Sequence, residues 1–168
     1  MVMWDEIAVA VAKEFPDVTW DKMLVDAMTM RMVMKPESID TVVATNLHAD
    51  VLSDLAAALA GSLGIAPTAN LNPERNFPSM FEPIHGSAFD IMGKGLANPT
   101  AMILSAAMML DWLGERHGLP GAVEAGRRIE TAVDRAYAAG LKPCEFGGSD
   151  GTTAIAAAVL DVLDGPSS

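Results

Sequence analysis

The stretch that most restricts the fold is residues 41 to 61, where three compositions follow one another without a gap. Thr41-Val42-Val43-Ala44-Thr45 is β-branched and apolar. Asn46-Leu47-His48-Ala49-Asp50-Val51-Leu52-Ser53-Asp54 mixes polar and apolar positions, and Leu55 to Ala60 is a run of Ala and Leu that stops at Gly61. Thr/Val runs suit pleated strands and Ala/Leu runs suit helices, so the stretch predicts a strand, a tight junction and a helix. In that helix Asp50 and Asp54 stand four residues apart on one face. Two like charges so placed destabilise the helix unless something screens them. Water or a cation can do so, and the spacing alone leaves both open.

The 168 residues are enough for one domain with a sizeable core, and 51% hydrophobic against 20% charged residues is a folding composition. The formal net charge of -11, from 22 acidic and 11 basic residues, disfavours nucleic acid, whose phosphates need a basic face. Charged residues interrupt every apolar run before it could span a bilayer, so no membrane partner is expected. Met1-Val2-Met3-Trp4-Asp5-Glu6 lacks the basic lead of a secretory signal, and the single Cys144 cannot form an internal disulfide. The expectation is a soluble cytoplasmic protein.

Trp4 to Phe15 places Trp4, Ile7, Ala8, Val11 and Phe15 at helical spacing, which predicts a core-facing helix ending before Pro16. A second helix is expected over Lys22 to Met34, closed by Pro36, with its methionines as packing residues. Asp26 interrupts its apolar surface and must lie at a helix edge or be answered by a cation. Ile65 to Ser79 reads as a long loop without regular structure, because of its prolines and asparagines.

His85-Gly86-Ser87-Ala88-Phe89-Asp90 continues through Gly93 and Gly95 to Asn98-Pro99, a capping pair that opens an apolar helix over Pro99 to Leu113, expected to be buried. A glycine-containing loop that ends at a helix N-terminus suits a phosphate or a dinucleotide, or is merely structural. Pro120 opens an amphipathic helix with Val123, Ile129, Val133 and Tyr137 inward, closed by Gly140. A last helix runs from Thr152 to about Leu163, and Gly165 to Ser168 reads as a fraying tail.

Asn46 to Asp54 and Phe81-Glu82-Pro83-Ile84-His85-Gly86-Ser87-Ala88-Phe89-Asp90 together resemble the β-decarboxylating 2-hydroxyacid dehydrogenases, which include isocitrate and 3-isopropylmalate dehydrogenases. Ala69 to Ser79, with Trp4-Asp5-Glu6 and Trp20-Asp21-Lys22, is most similar to the tartrate dehydrogenase/decarboxylase and D-malate dehydrogenase branch. The resemblance runs from Trp4 to about Leu163 and covers the C-terminal half of such an enzyme. It implies an α/β fold, with residues 1–66 in a metal-bearing dimerisation domain and 67–168 in an NAD-binding domain.

The resemblance further implies that Asp50 and Asp54, with Asp26 of the partner subunit in a homodimer, surround Mg²⁺ or Mn²⁺, hard cations that all-oxygen ligation suits. It places His85, Gly86, Ser87 and Ala88 against the cofactor's adenosine, Asn98 at the adenine, and Glu82 near the nicotinamide side. Asp90 would read the ribose hydroxyls and repel a 2′-phosphate, favouring NAD over NADP. Two departures stand out, His48-Ala49 for an aromatic-Gly pair and Phe89 for a frequent proline.

No catalytic residue is assigned. The family's acid/base tyrosine and lysine and its dicarboxylate-binding arginines belong to the other half, Lys22 does not match that lysine, and the basic residues here are scattered. The chain reads as a partial NAD- and Mg²⁺/Mn²⁺-dependent oxidative decarboxylase of a tartrate- or D-malate-type substrate, inactive alone: a cut segment, an internal start or a gene remnant. The alternative is a non-catalytic dimerisation or binding module.

Overall fold

A computed structural model describes residues 2–165, which divide into two compact units, one up to Ala49 and one from Asp50 on. The expected tail therefore lies outside the described residues beyond Gly165.

The first unit holds helices α1 (Val2–Ala12) and α2 (Val25–Met34), and neither has a buried residue. The core-facing reading of the first helix is corrected accordingly: Trp4 is 43% exposed, Ile7 55% and Phe15 57%. Helical spacing identifies the face that shuns water but not whether anything covers it. The second helix starts three residues later than expected, at Val25, and Lys22 instead pairs with Asp5. Its end is fixed by Arg31, which donates to the Ser38 carbonyl at 2.6 Å and to its hydroxyl at 2.9 Å, locking the 3₁₀ turn Pro36–Ser38 behind Lys35.

No strand forms at Thr41 to Thr45, contrary to the expectation. A β-branched run becomes a strand only where a second strand meets its N–H and C=O groups, and the one ladder among the described residues lies elsewhere. Helix α3 (Asn46–Ala60) begins directly after it and stops at Gly61, with φ +128°. A Cβ on Gly61 would stand 2.8 Å from the Phe146 ring, so the helix end and that ring need the glycine.

The expected loop over Ile65 to Ser79 contains regular structure. Strand β1 (Pro67–Asn70) pairs antiparallel with β2 (Met80–Pro83), Pro67 opposite Pro83. The adjoining Ile84 N–H donates to the Ala66 carbonyl, which makes 67/83 a pair whose N–H positions face away from the partner strand. Two prolines there cost the ladder nothing, which is why a proline count misread the segment.

Helices α4 (Thr100–His117), α5 (Pro120–Ala138) and α6 (Thr152–Asp164) build the core of the second unit, centred on Ala132, Val133, Ala136 and Val159. Contrary to the expectation of a buried helix, α4 is covered on one side only: Met102 is 52% exposed, and its buried line is the small-residue set Ala101, Ser105, Ala107 and Gly114. Small residues let backbones approach, as at Gly126, where a Cβ would stand 2.9 Å from the Ala107 carbonyl oxygen. Gly118 in the left-handed region and Pro120 at the first helical turn make the α4–α5 corner. On its other side α4 packs beneath the hairpin, where the buried Ser105 hydroxyl lies 2.8 Å from both the Glu82 and Ala101 carbonyls.

Candidate functional site

Asp50 and Asp54 fall on helix α3, one turn apart, and both are exposed. Asp26 lies in the first turn of α2, also exposed, with Oδ1 accepting the Ala27 N–H at 2.8 Å. That is the helix-edge position the sequence allowed, and a carboxylate there is favoured by the helix dipole. Among the described residues of one chain, no three His, Cys, Asp or Glu side chains gather as a metal site. The donors are all carboxylate oxygens, which match a hard divalent cation, and two from one chain leave positions for others to fill.

The second candidate is the loop from Ile84 to Pro99. His85, Gly86, Ser87, Ala88 and Asp90 are all exposed, and the His85 Nδ1 lies 3.1 Å from the Gly86 carbonyl oxygen. Ala88 takes a left-handed conformation, φ 42° and ψ 58°, immediately before the 3₁₀ turn Phe89–Ile91 that presents Asp90. A left-handed non-glycine residue costs about 1–2 kcal/mol and marks a loop held to a defined path. Gly93 and Gly95 are needed for their positive φ values of 72° and 66°, whereas Gly86 has an ordinary φ and open space where a Cβ would stand. The chemistry suits a dinucleotide: an exposed carboxylate able to accept hydrogen bonds from ribose hydroxyls, beside open space at Gly86.

Asn98 is the one member of the loop set that is buried, at 8% exposure. Its Oδ1 accepts the Thr100 N–H at 3.0 Å and so caps α4, as expected of Asn-Pro. Its amide nitrogen donates to Glu145 Oε1 at 2.7 Å and to the Tyr137 hydroxyl at 3.1 Å. Ser62 adds a donor to the same Glu145 oxygen at 3.2 Å, and Thr100 Oγ1 lies 2.9 Å from the Tyr137 hydroxyl.

The sequence reading missed Glu145, Tyr137 and Thr152 as supports of this loop. The local Asn-Pro-Thr signal reveals the cap, but nothing local links Asn98 to side chains 39 and 47 residues downstream. Glu82 lies on β2, half-buried, its carbonyl held by Ser105 and a carboxylate oxygen 3.5 Å from the Asn70 amide. Cys144 is exposed and forms no disulfide. Among the described residues, no helix is long and apolar enough to cross a membrane.

The family described as isocitrate/isopropylmalate dehydrogenase matches residues 1–159. A protein of Agrobacterium vitis named "probable tartrate dehydrogenase/decarboxylase" is 63% identical over 165 residues, 98% of this chain and 44% of that protein. The decarboxylating D-malate dehydrogenase of Escherichia coli K12 is 47% identical over 163 residues, 97% of this chain and 45% of its own length. Among solved structures, isocitrate dehydrogenase from Methylococcus capsulatus superposes with a TM-score of 0.85 at 43% identity, covering 95% of this chain and 45% of that one. The chain thus spans less than half the length of the curated relatives it matches, and its α/β fold is that of part of such an enzyme.

Proposed function

Because the chain belongs to the isocitrate/isopropylmalate dehydrogenase family, we propose that it supplies the metal-ligating carboxylates and the NAD-binding loop of an oxidative decarboxylase acting on a tartrate- or D-malate-type 2-hydroxydicarboxylate. The observation that carries this reading is the His85–Asp90 loop, exposed, left-handed at Ala88 and tied through buried Asn98 to the N-terminus of α4.

In this reading residues 1–66 belong to a metal-bearing dimerisation domain and 67–168 to the cofactor domain, in a cytoplasmic homodimer. Asp50 and Asp54, with Asp26 of the partner subunit, would hold Mg²⁺ or Mn²⁺. Asp90 would accept the adenine-ribose hydroxyls and disfavour a 2′-phosphate by charge, while residues His85 to Ala88 would line the adenosine and Asn98 would contact the adenine. When bound, the cation would polarise the substrate's 2-hydroxyl and stabilise negative charge as CO₂ leaves, and NAD would take the hydride. The substrate's carboxylates and the acid/base steps have no residue assigned here.

Two measurements test the proposal. Joined to the remaining portion of the Agrobacterium vitis relative, the chain should give Mn²⁺-dependent NADH production from tartrate or D-malate, and its complete absence with any 2-hydroxydicarboxylate overturns the enzyme reading. Alone, the chain should bind Mn²⁺ weakly, and binding should drop in Asp50→Ala; an unchanged titration removes the metal assignment.

A second reading, a non-catalytic dimerisation module, is favoured by one observation: α1 and α2 bury none of their residues. Turnover by the isolated chain would refute it.

A further inference from the structure

The nucleotide loop is supported unevenly. From His85 to Asp90 every residue is exposed, whereas Gly95, Ala97 and Asn98 are each held by residues far downstream. The Thr152 N–H donates to the Gly95 carbonyl at 2.9 Å, and the Thr152 hydroxyl donates to the Ala97 carbonyl. Thr152 is the first residue of α6, so its N–H is one of the donors that a helix start leaves without an intrahelical partner. Here that donor is committed to the loop. Gly151 closes the arrangement, because a Cβ on it would collide with the same Gly95 oxygen.

Between Asp90 and Gly95 the chain is stiffened by short-range hydrogen bonds: Ile91 N–H to the Ala88 carbonyl at 3.0 Å, Met92 to Phe89 at 3.3 Å, and Lys94 to Ile91 at 3.1 Å. These turns link Ala88 and Asp90 through a short hydrogen-bonded segment to the carbonyls that Thr152 holds. Gly95, with its left-handed φ of 66°, is the position where that segment meets its anchor.

We propose that Thr152 is a positioning residue for nucleotide binding, acting on the loop through the Gly95 and Ala97 carbonyls without itself contacting the nucleotide. This rests on the assignment of the loop to NAD. Thr152→Val keeps the β-branched shape and the backbone N–H but removes the hydroxyl, and Thr152→Ser restores it.

The test is made on the 168-residue chain. NAD and AMP are titrated by calorimetry against the original protein, T152V and T152S, and amide hydrogen exchange is followed over Gly93 to Ala97. T152V should bind both ligands about fivefold more weakly, the effect of one net hydrogen bond. It should also exchange faster at those amides, while T152S returns both readouts to the original values. Equal affinity in the original protein and T152V overturns the positioning role and leaves the nucleotide reading intact. If the original protein binds neither ligand, the nucleotide reading fails and the positioning role falls with it; faster exchange in T152V would then locate the error in the ligand and not in the anchor.

Discussion

The guanidinium carbon of Arg75 lies 4.1 Å from the centre of the Trp112 ring, and one of its terminal nitrogens is 3.2 Å from the Glu115 carboxylate. Arg75 comes from the connection between β1 and β2, and both partners lie on α4, so this stack fastens the connection to the helix. It does so although Arg75 has a φ of 55°, left-handed for a non-glycine residue. A double-mutant cycle with Arg75→Ala and Trp112→Leu should return a coupling of about 0.5–1 kcal/mol by urea unfolding. Most of it should survive 1 M NaCl, because the exposed carboxylate arm is screened and the ring contact much less so. A coupling indistinguishable from zero would mean that the connection is held by its own turns.

Helices α4 and α5 meet where Gly126 faces the Ala107 carbonyl, while Gly121, in the first turn of α5, faces open space. Gly→Ala gains up to about 1 kcal/mol of helix propensity at either site, but at Gly126 overpacking costs about 1–3 kcal/mol. Gly126→Ala should therefore lower the midpoint of urea unfolding and Gly121→Ala should raise or preserve it. Shifts of the same sign at both positions would show that the crossing tolerates separation.

Removing the Tyr137 hydroxyl deprives the Asn98 amide of one acceptor and leaves Thr100 Oγ1 without that contact. Tyr137→Phe should cost about 1 kcal/mol, and Asn98→Ala about 2–3 kcal/mol, since the latter also removes the cap of α4 and the bond to Glu145. Thermal unfolding of both variants, beside Asn98→Asp, tests the order. Equal losses in the two single variants would place the weight on the hydroxyl and not on the amide.

Under the proposed function, Asp90→Asn keeps the size of the side chain and removes its charge. NAD should bind about tenfold more weakly, because hydrogen bonds to a charged acceptor are the stronger kind, and NADP should lose part of its disadvantage. Dissociation constants for both dinucleotides decide it, and a preference unchanged by the substitution would assign the discrimination to another residue.

What could be read in advance divides by the range of the interaction. Helix α5 was legible because its start at Pro120, its 3.6-residue period and its stop at Gly140 are all local, and the structure gives Pro120–Ala138 with Val133 buried and Arg127, Arg128 and Arg135 exposed. Asn98 was legible as a cap for the same reason. The strand at Pro67 was not, because prolines are harmless only in a register that depends on a partner strand. Thr41 to Thr45 failed in the opposite sense, having strand composition without a ladder. The supports from Tyr137, Glu145 and Thr152 are tertiary throughout: the helical period turns Tyr137 inward but names no partner for it, and nothing local marks the other two.

Pro67 and Pro83 have one more effect. Facing each other at a pair whose donors would point outward, they strip one N–H from each flank of the hairpin. A third strand arriving on either side finds a rung where it can donate but has nothing to accept from, which penalises indiscriminate zipping of one molecule onto another. For a chain that leaves Trp4 and Phe15 exposed, that built-in mismatch counts against backbone-templated fibres.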